Sequence, residues 1–282
     1  MKIISVIGAG TMGNGIAHVF AQKGFEVILI DTQASALEKA LALISKNLDR
    51  QIAKGTLVAA DKEAAMLRIS TAMTIEVGVA NADLVIEAAT ENSNIKKSIF
   101  TTIDQYAKPA CIIASNTSSI SITALAAATH RPEKVIGMHF MNPVPVMKLV
   151  EIINGAQTEA NVTETIVDLT KQLDKVPCVV NDAPGFIANR ILMPMINEAI
   201  YALSEGISDA STIDQIMKLG MAHPMGPLQL ADYIGLDVCK NILDIMQQGF
   251  NNIKYAPCPL LVKMVQDGKL GVKTGEGFYK YL

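Results

Sequence analysis

The sequence has no tryptophan, 5% aromatic residues and four cysteines in 282 positions. Cys111, Cys178, Cys239 and Cys258 lie far apart and form no CxxC pair. They imply neither a disulfide framework nor a zinc site, and read as buried small apolar side chains in a reducing compartment. Charge is scarce as well: 18% of residues are charged, where about a quarter is usual. The net charge is −3 and no basic run is interleaved with aromatics, which argues against nucleic acid as a partner. No apolar run reaches the ~18 residues of a membrane span. The first strand is expected from about Lys2, leaving no room for a signal or transit peptide, so a cytoplasmic location is expected. What the chain does have is apolar residues, 50% of the total. That is enough for one large or two ordinary domains, with apolar surface left over for an oligomer partner.

Residues 2–7, KIISVI, read as a short buried parallel strand, followed at once by Gly8-Ala9-Gly10-Thr11-Met12-Gly13. Ile16, Ala17, Val19 and Phe20 continue at helical spacing to Lys23-Gly24, a helix-ending pair. A second buried strand, 25–31, ends on Asp31, 18 residues beyond Gly13. These are the physical requirements of a dinucleotide site. Gly8 permits the tight turn, Gly10 lets a pyrophosphate approach the backbone, and Gly13 lets helix and strand pack closely. The helix N-terminus faces the phosphates, and Asp31 can accept from both ribose hydroxyls. Its carboxylate would repel a 2′-phosphate and no Arg or Lys follows until Lys39, so NAD is expected rather than NADP.

A long helix is expected from Gln33 to about Lys54 and another over about 60–67, forming a helical insertion at 33–67. Lys46, Arg50 and Lys54 share one face of the first. Their spacing fits a solvated face and also a clamp for a phosphorylated substrate tail. Strands are expected at 68–73, 83–89 and 111–115, with a helix over about 92–107 between the last two. Glu91 and Lys96 fall just past the strand at 83–89, at the carboxyl end where ligands of such sheets sit, although either could be a charge at a helix start. Asn116-Thr117-Ser118-Ser119 follows the strand at 111–115 and reads either as the N-cap of a short helix near 121–128 or as a substrate loop.

The run Val135–Ile153 reads as two β-rich stretches, 135–140 and 146–153, joined by Asn142-Pro143-Val144-Pro145. A hairpin centred near Pro145 sets His139 opposite Glu151, with Cβ atoms about 5 Å apart. A carboxylate beside an imidazole fixes its tautomer and suits a general base; a structural His–Glu contact has the same spacing. After a helix at about 159–174 and a strand at 176–180, the alternating rhythm stops at Asn181–Gly185. Helices are expected at 186–204, 209–220, 226–248 and about 258–267, the first buried on several sides. The expected architecture is α/β: a doubly wound Rossmann-type domain over 1–184, followed by an all-α C-terminal domain over 185–282.

GAGTMG, ASNTSS, GMHFMNPVPVMKLVE, DAPGFIANR, HPMGP and KTGEGFY, in this order, resemble the L-3-hydroxyacyl-CoA dehydrogenase family over essentially the whole chain, most of all its short, free-standing bacterial members. The resemblance implies an NAD-linked, reversible interconversion of a (3S)-3-hydroxyacyl-CoA, 3-hydroxybutyryl-CoA foremost, and its 3-keto thioester, in short-chain fatty acid or butyrate metabolism. It places the catalytic His on His139, its partner on Glu151, the serine holding the 3-oxygen on Ser118 and the active-site Asn on Asn189. It assigns the dinucleotide to the loop 8–13, Asp31, Glu91, Lys96 and Lys273, with Asn142 lining the same cleft. The CoA tail falls to the helical insertion with Arg50 and Lys54. The family implies a homodimer or higher homo-oligomer through the C-terminal domain, which also closes the substrate cleft. Arg50 stands where relatives often carry Lys, and Met141 where Phe is common. Two rivals have the same outline. The 3-hydroxyisobutyrate and 6-phosphogluconate dehydrogenases use a Lys base on the helix after the first domain, where this chain has Asn189 and Arg190. A crystallin-like relative would keep the fold and NAD without turnover, against which the intact Ser118, His139, Glu151 and Asn189 set argues.

Overall fold

In a computed structural model, which describes residues 1–281, the chain divides into two compact units, Met1–Asp182 and Ala183–Leu282. The first opens with β1 (Ile3–Ile7), α1 (Thr11–Gln22) and β2 (Glu26–Ile30). The helical insertion follows as α2 (Ala34–Ala53) and α3 (Ala59–Leu67). Leu37, Ala40, Ile44 and Leu48 recur at three- and four-residue spacing on α2 and are buried, while Lys46, Arg50 and Lys54 on its other side are exposed. Burying Leu37, Ile44 and Leu48 is worth about 2 kcal/mol each, which attaches α2 to the body of the unit.

The sheet resumes with β3 (Ile69–Ala72), α4 (Ile75–Val79), β4 (Leu84–Glu87), α5 (Ser93–Tyr106), β5 (Ile112–Ser115) and α6 (Ile122–Ala126). It finishes with β6 (Val135–Phe140), β7 (Leu149–Asn154), α7 (Ala160–Gln172) and β8 (Val176–Asn181). The eight strands are ordered β3-β2-β1-β4-β5-β6-β7-β8, and all neighbours are parallel except β6 and β7. Strand order therefore reverses between β1 and β4, and the carboxyl ends of those strands form the crevice where such sheets bind ligands. One core cluster joins Val6, Leu29 and Ile86 of the sheet to Phe20 of α1, Ile44 of α2 and Ile166 of α7.

The second unit is helical: α8 (Ala188–Ser204), α9 (Ala210–Gly220), α10 (Pro227–Ile234), α11 (Leu236–Phe250) and α12 (Pro259–Gln266). Its core contains Met193, Ile196, Leu228, Leu243, Met246 and Leu261.

Four expectations are corrected. The helix expected over 226–248 is two helices, broken at Gly235, whose φ of +101° is open to glycine and strained for other residues. The second hairpin strand starts at Leu149 rather than 146, because the amides of Val146 and Met147 both turn back to the Pro143 carbonyl. Cys178 is exposed rather than buried, since β8 is an edge strand with Val176, Cys178 and Val179 turned outward. Helix α8 buries Asn189, Met193, Ile196, Asn197, Ala199 and Ile200 along one side but leaves Ile191 65% exposed. No helix among the described residues is long and apolar enough to cross a membrane.

Candidate active site

The antiparallel register of β6 and β7 sets Met138 against Ile152, His139 against Glu151 and Phe140 against Val150. Residues directly opposite in such a ladder project from the same face, so the two polar side chains meet within a largely apolar pair of strands. His139 Nδ1 lies 2.8 Å from Glu151 Oε2, with His139 9% and Glu151 3% exposed. A carboxylate accepts only, so Nδ1 carries the proton and the basic lone pair is on Nε2. The arrangement can take a proton at Nε2 and neutralise the resulting imidazolium across a short buried contact.

Two neighbouring strand ends build the loop beside this pair. Asn116, just past β5, accepts from the Phe140 amide at 2.9 Å and so ties the loop to the strand end that carries His139. Glu91 Oε1 accepts from the Thr117 hydroxyl, from the Ser118 amide at 3.2 Å and from the Ser119 hydroxyl at 2.9 Å. Three consecutive residues are held by one carboxylate. Burial alone would raise the Glu91 carboxyl, but the Lys96 ammonium and the two hydroxyls outweigh it and hold the group below the usual carboxylate range. The cap of α6 is Ser121, which accepts from the Ala124 amide, so the polar cluster 116–119 is not the N-cap, and the Thr117 and Ser119 hydroxyls are directed at Glu91 instead. Asn92 caps α5, so Glu91 is not a helix-start charge either.

Lys96, expected at the cofactor, is turned into the protein and is 1% exposed. Its Nζ lies 2.7 and 2.9 Å from the two oxygens of Glu87, itself fully buried, and 3.4 Å from Glu91 Oε2. Ser115 Oγ and the Ala89 amide complete the Glu87 carboxylate at 2.6 and 2.7 Å. Glu87 was missed in the sequence reading, although one acid inside the apolar run Leu84–Ala89 with a Lys nine residues on was a usable signal. A buried acid there has to be paired or neutralised.

The glycine loop has the shape of a phosphate cradle. A Cβ on Gly13 would stand 1.7 Å from the Gly8 carbonyl oxygen, and one on Gly8, at φ +98°, 2.6 Å from the Ala88 carbonyl oxygen. Gly10 meets nothing within 4 Å, so the backbone there stays open to a ligand. Asp31, at the end of β2, accepts from the Ala9 amide at 2.9 Å and the Gln33 amide at 3.0 Å, which fixes its carboxylate beside the loop. Thr11 and Met12 start α1. These residues fit a dinucleotide pyrophosphate and ribose.

The other candidates belong to the turn after β6, the helical insertion and the second unit. Asn142 is exposed in the turn after β6 and precedes Pro143 through a cis peptide bond. Arg50 and Lys54 are exposed on α2, Arg50 donating to Asn47 Oδ1 at 3.2 Å. In the second unit Asn189 is 8% exposed near the start of α8, and the next guanidinium, Arg190, stacks 3.8 Å over the Phe250 ring. Lys273 pairs with Asp237 at 2.5 Å.

The family model described as "3-hydroxyacyl-CoA dehydrogenase, NAD binding domain" matches residues 3–183, and that for the C-terminal domain of the same enzymes matches 185–281. The chain belongs to the 3-hydroxyacyl-CoA dehydrogenase family. It is 52% identical over 281 residues to the 3-hydroxybutyryl-CoA dehydrogenase of Bradyrhizobium diazoefficiens, covering 100% of this chain and 96% of that one. It is 43% identical over 288 residues to the human mitochondrial hydroxyacyl-coenzyme A dehydrogenase, covering 100% and 91%. Among solved structures, the (S)-3-hydroxybutyryl-CoA dehydrogenase of Ralstonia eutropha superposes with a TM-score of 0.97 at 48% identity, covering 100% of this chain and 99% of that one. As a 3-hydroxyacyl-CoA dehydrogenase the chain is an NAD-dependent oxidoreductase whose first unit is the NAD-binding domain. In these terms the cradle at 8–13 with Asp31 is the part of the dehydrogenase that suits the dinucleotide, and the β6–β7 pair is the part that suits proton transfer.

Proposed function

We propose that this dehydrogenase reversibly interconverts a (3S)-3-hydroxyacyl-CoA, 3-hydroxybutyryl-CoA foremost, and its 3-keto thioester, acetoacetyl-CoA. The observation that carries the reading is the buried 2.8 Å contact between His139 Nδ1 and Glu151, which aims a general base from the end of β6. NAD, when bound, supplies the hydride acceptor for C3. His139 Nε2 removes the C3 hydroxyl proton as the C–H bond breaks, so negative charge does not accumulate on an alkoxide. Glu151 stabilises the imidazolium so formed, and in the reverse direction that imidazolium protonates the 3-keto oxygen. Ser118 holds the 3-oxygen, on a loop fixed by Glu91. Lys96 serves the cofactor end of the sheet through Glu87 and Glu91. Gly8, Ala9, Gly10, Thr11, Met12, Gly13, Asp31, Asn142 and Lys273 complete the NAD set. Asn189 orients His139 or the thioester carbonyl, and Arg50 and Lys54 take the CoA tail.

We assign the domains as 1–184 for NAD and 185–282 for dimerisation and closure of the cleft, and the location as cytoplasmic. Exposed Ile187, Ile191 and Leu219 in the second unit supply apolar surface for a homodimer. The Lys-base alternative has no residue to carry it, because α8 contains no Lys. The test is NADH oxidation followed at 340 nm with acetoacetyl-CoA, wild type beside His139→Ala. Loss of a general base lowers turnover by about 10²–10⁴-fold. Equal turnover by the two proteins, or none by either, refutes the assignment.

A further inference from the structure

A cavity of 640 Å³ lies within the first unit, between α1, α2, the segment 143–148 and the turn from α7 to β8. Lys23, Arg50, Lys54, Lys148 and Lys175 line it, against a single carboxylate, Asp174, which is already in contact with Lys23. Pro143, Pro145 and Val146 give it one apolar wall. Lys175 is the unusual member. It is 7% exposed, and its Nζ donates to the Val144 carbonyl at 2.6 Å and the Met147 carbonyl at 2.7 Å. Those two bonds hold an ammonium at the cavity wall with neutral acceptors, and no carboxylate is within ion-pair distance of it among the described residues. Burial, and then the Lys148 ammonium, pull its pKa down to about 8. A buried cation beside a second cation and without a counter-charge is unfavourable until an anion arrives.

We propose that Lys148 and Lys175 form a polyanion subsite that takes a phosphate of the substrate's nucleotide tail, on the wall of the cavity opposite Arg50 and Lys54. The inference rests on the CoA-thioester reading above and extends it to residues outside the helical insertion. Its consequence is a connection. Val144 and Met147, whose carbonyls anchor Lys175, belong to the turn joining β6, which carries His139, to β7, which carries Glu151. The same ammonium thereby holds the catalytic turn and meets the tail, so tail binding and the position of the turn are coupled through one side chain.

The test compares acetoacetyl-CoA with acetoacetyl-pantetheine, which has the same reacting thioester and no phosphates, in the full-length wild type, Lys148→Ala and Lys175→Gln. Lys148 is exposed, so its removal leaves the fold intact. For Lys148→Ala, KM for acetoacetyl-CoA rises about tenfold at little-changed kcat, the size of one charge-assisted contact, while KM for acetoacetyl-pantetheine stays put. For Lys175→Gln, KM for the CoA thioester rises at least as much and kcat falls for both substrates, because the turn loses its anchor. Equal KM changes for the two thioesters in Lys148→Ala, or no change with either, overturn the proposal. If the wild type reduces neither thioester, the reading of the reaction fails. If it reduces both with the same KM, the reaction stands and the phosphate subsite is overturned.

Discussion

Glu151→Gln isolates the charge of the His–Glu pair from its shape. The amide is isosteric with the carboxylate, and its carbonyl oxygen can still accept from His139 Nδ1, so the imidazole keeps its orientation. What disappears is the negative charge next to the imidazolium that forms when His139 takes a proton. The contact is 2.8 Å between atoms, and charge centres about 4 Å apart in a medium of effective dielectric ~20 interact by about 4 kcal/mol. At about 1.4 kcal/mol per decade this is up to roughly 10³ in rate, and residual water reduces it to an expected 10²–10³-fold loss of kcat. KM should stay within about threefold, because no group that meets the substrate has been removed. The assay is single-turnover reduction of acetoacetyl-CoA by enzyme-bound NADH, so that product release cannot mask the chemical step. Glu151→Ala should lose more than Glu151→Gln, since it forfeits orientation as well. A kcat within threefold of wild type for Glu151→Gln, or a loss confined to KM, refutes the electrostatic role.

Two further outcomes concern stability. Lys96→Met leaves the fully buried Glu87 carboxylate without its ammonium and should cost about 3–5 kcal/mol in urea unfolding, while adding Glu87→Gln should recover part of that; equal midpoints for wild type and Lys96→Met contradict the pairing. His18 on α1 is 1% exposed, and burial pulls its pKa down to about 4 from 6.5, so the unfolded chain binds the extra proton across that window and stability falls as pH drops from 6.5 towards 4. Its share is about 2 kcal/mol between pH 7 and pH 5, read as the difference in acid sensitivity between wild type and His18→Gln, and identical sensitivity would rule it out.

Helix α2 was readable because its apolar residues recur every three or four positions, and the β1–α1–β2 unit because strand, glycine turn, helix and terminal acid are contiguous. The His139–Glu151 pairing was readable for the same reason: a proline-bounded turn sets the register of a hairpin, so two residues 12 apart become neighbours by counting. Other features depended on partners distant in sequence. Asn116 looked like part of a polar cluster until the Phe140 amide, 24 residues away, appeared on its side-chain oxygen. Thr117 and Ser119 read either as helix caps or as part of a substrate loop until Glu91 accepted from both. The break at Gly235 was missed because a single glycine inside a helical pattern is tolerated more often than it ends a helix.

The sequence by itself determined the order of strands and helices in the first unit, the glycine loop and the hairpin register, since all three rest on local periodicity and steric limits within a few residues. The tertiary structure decided which charges are paired inside the protein and which line a cavity. Lys96 and Lys175 are each a lysine in a polar stretch of sequence. One is buried against Glu87, and the other is held by two carbonyls at the wall of a cationic cavity, because strand order and chain crossings bring those partners together and spacing along the chain carries no record of them.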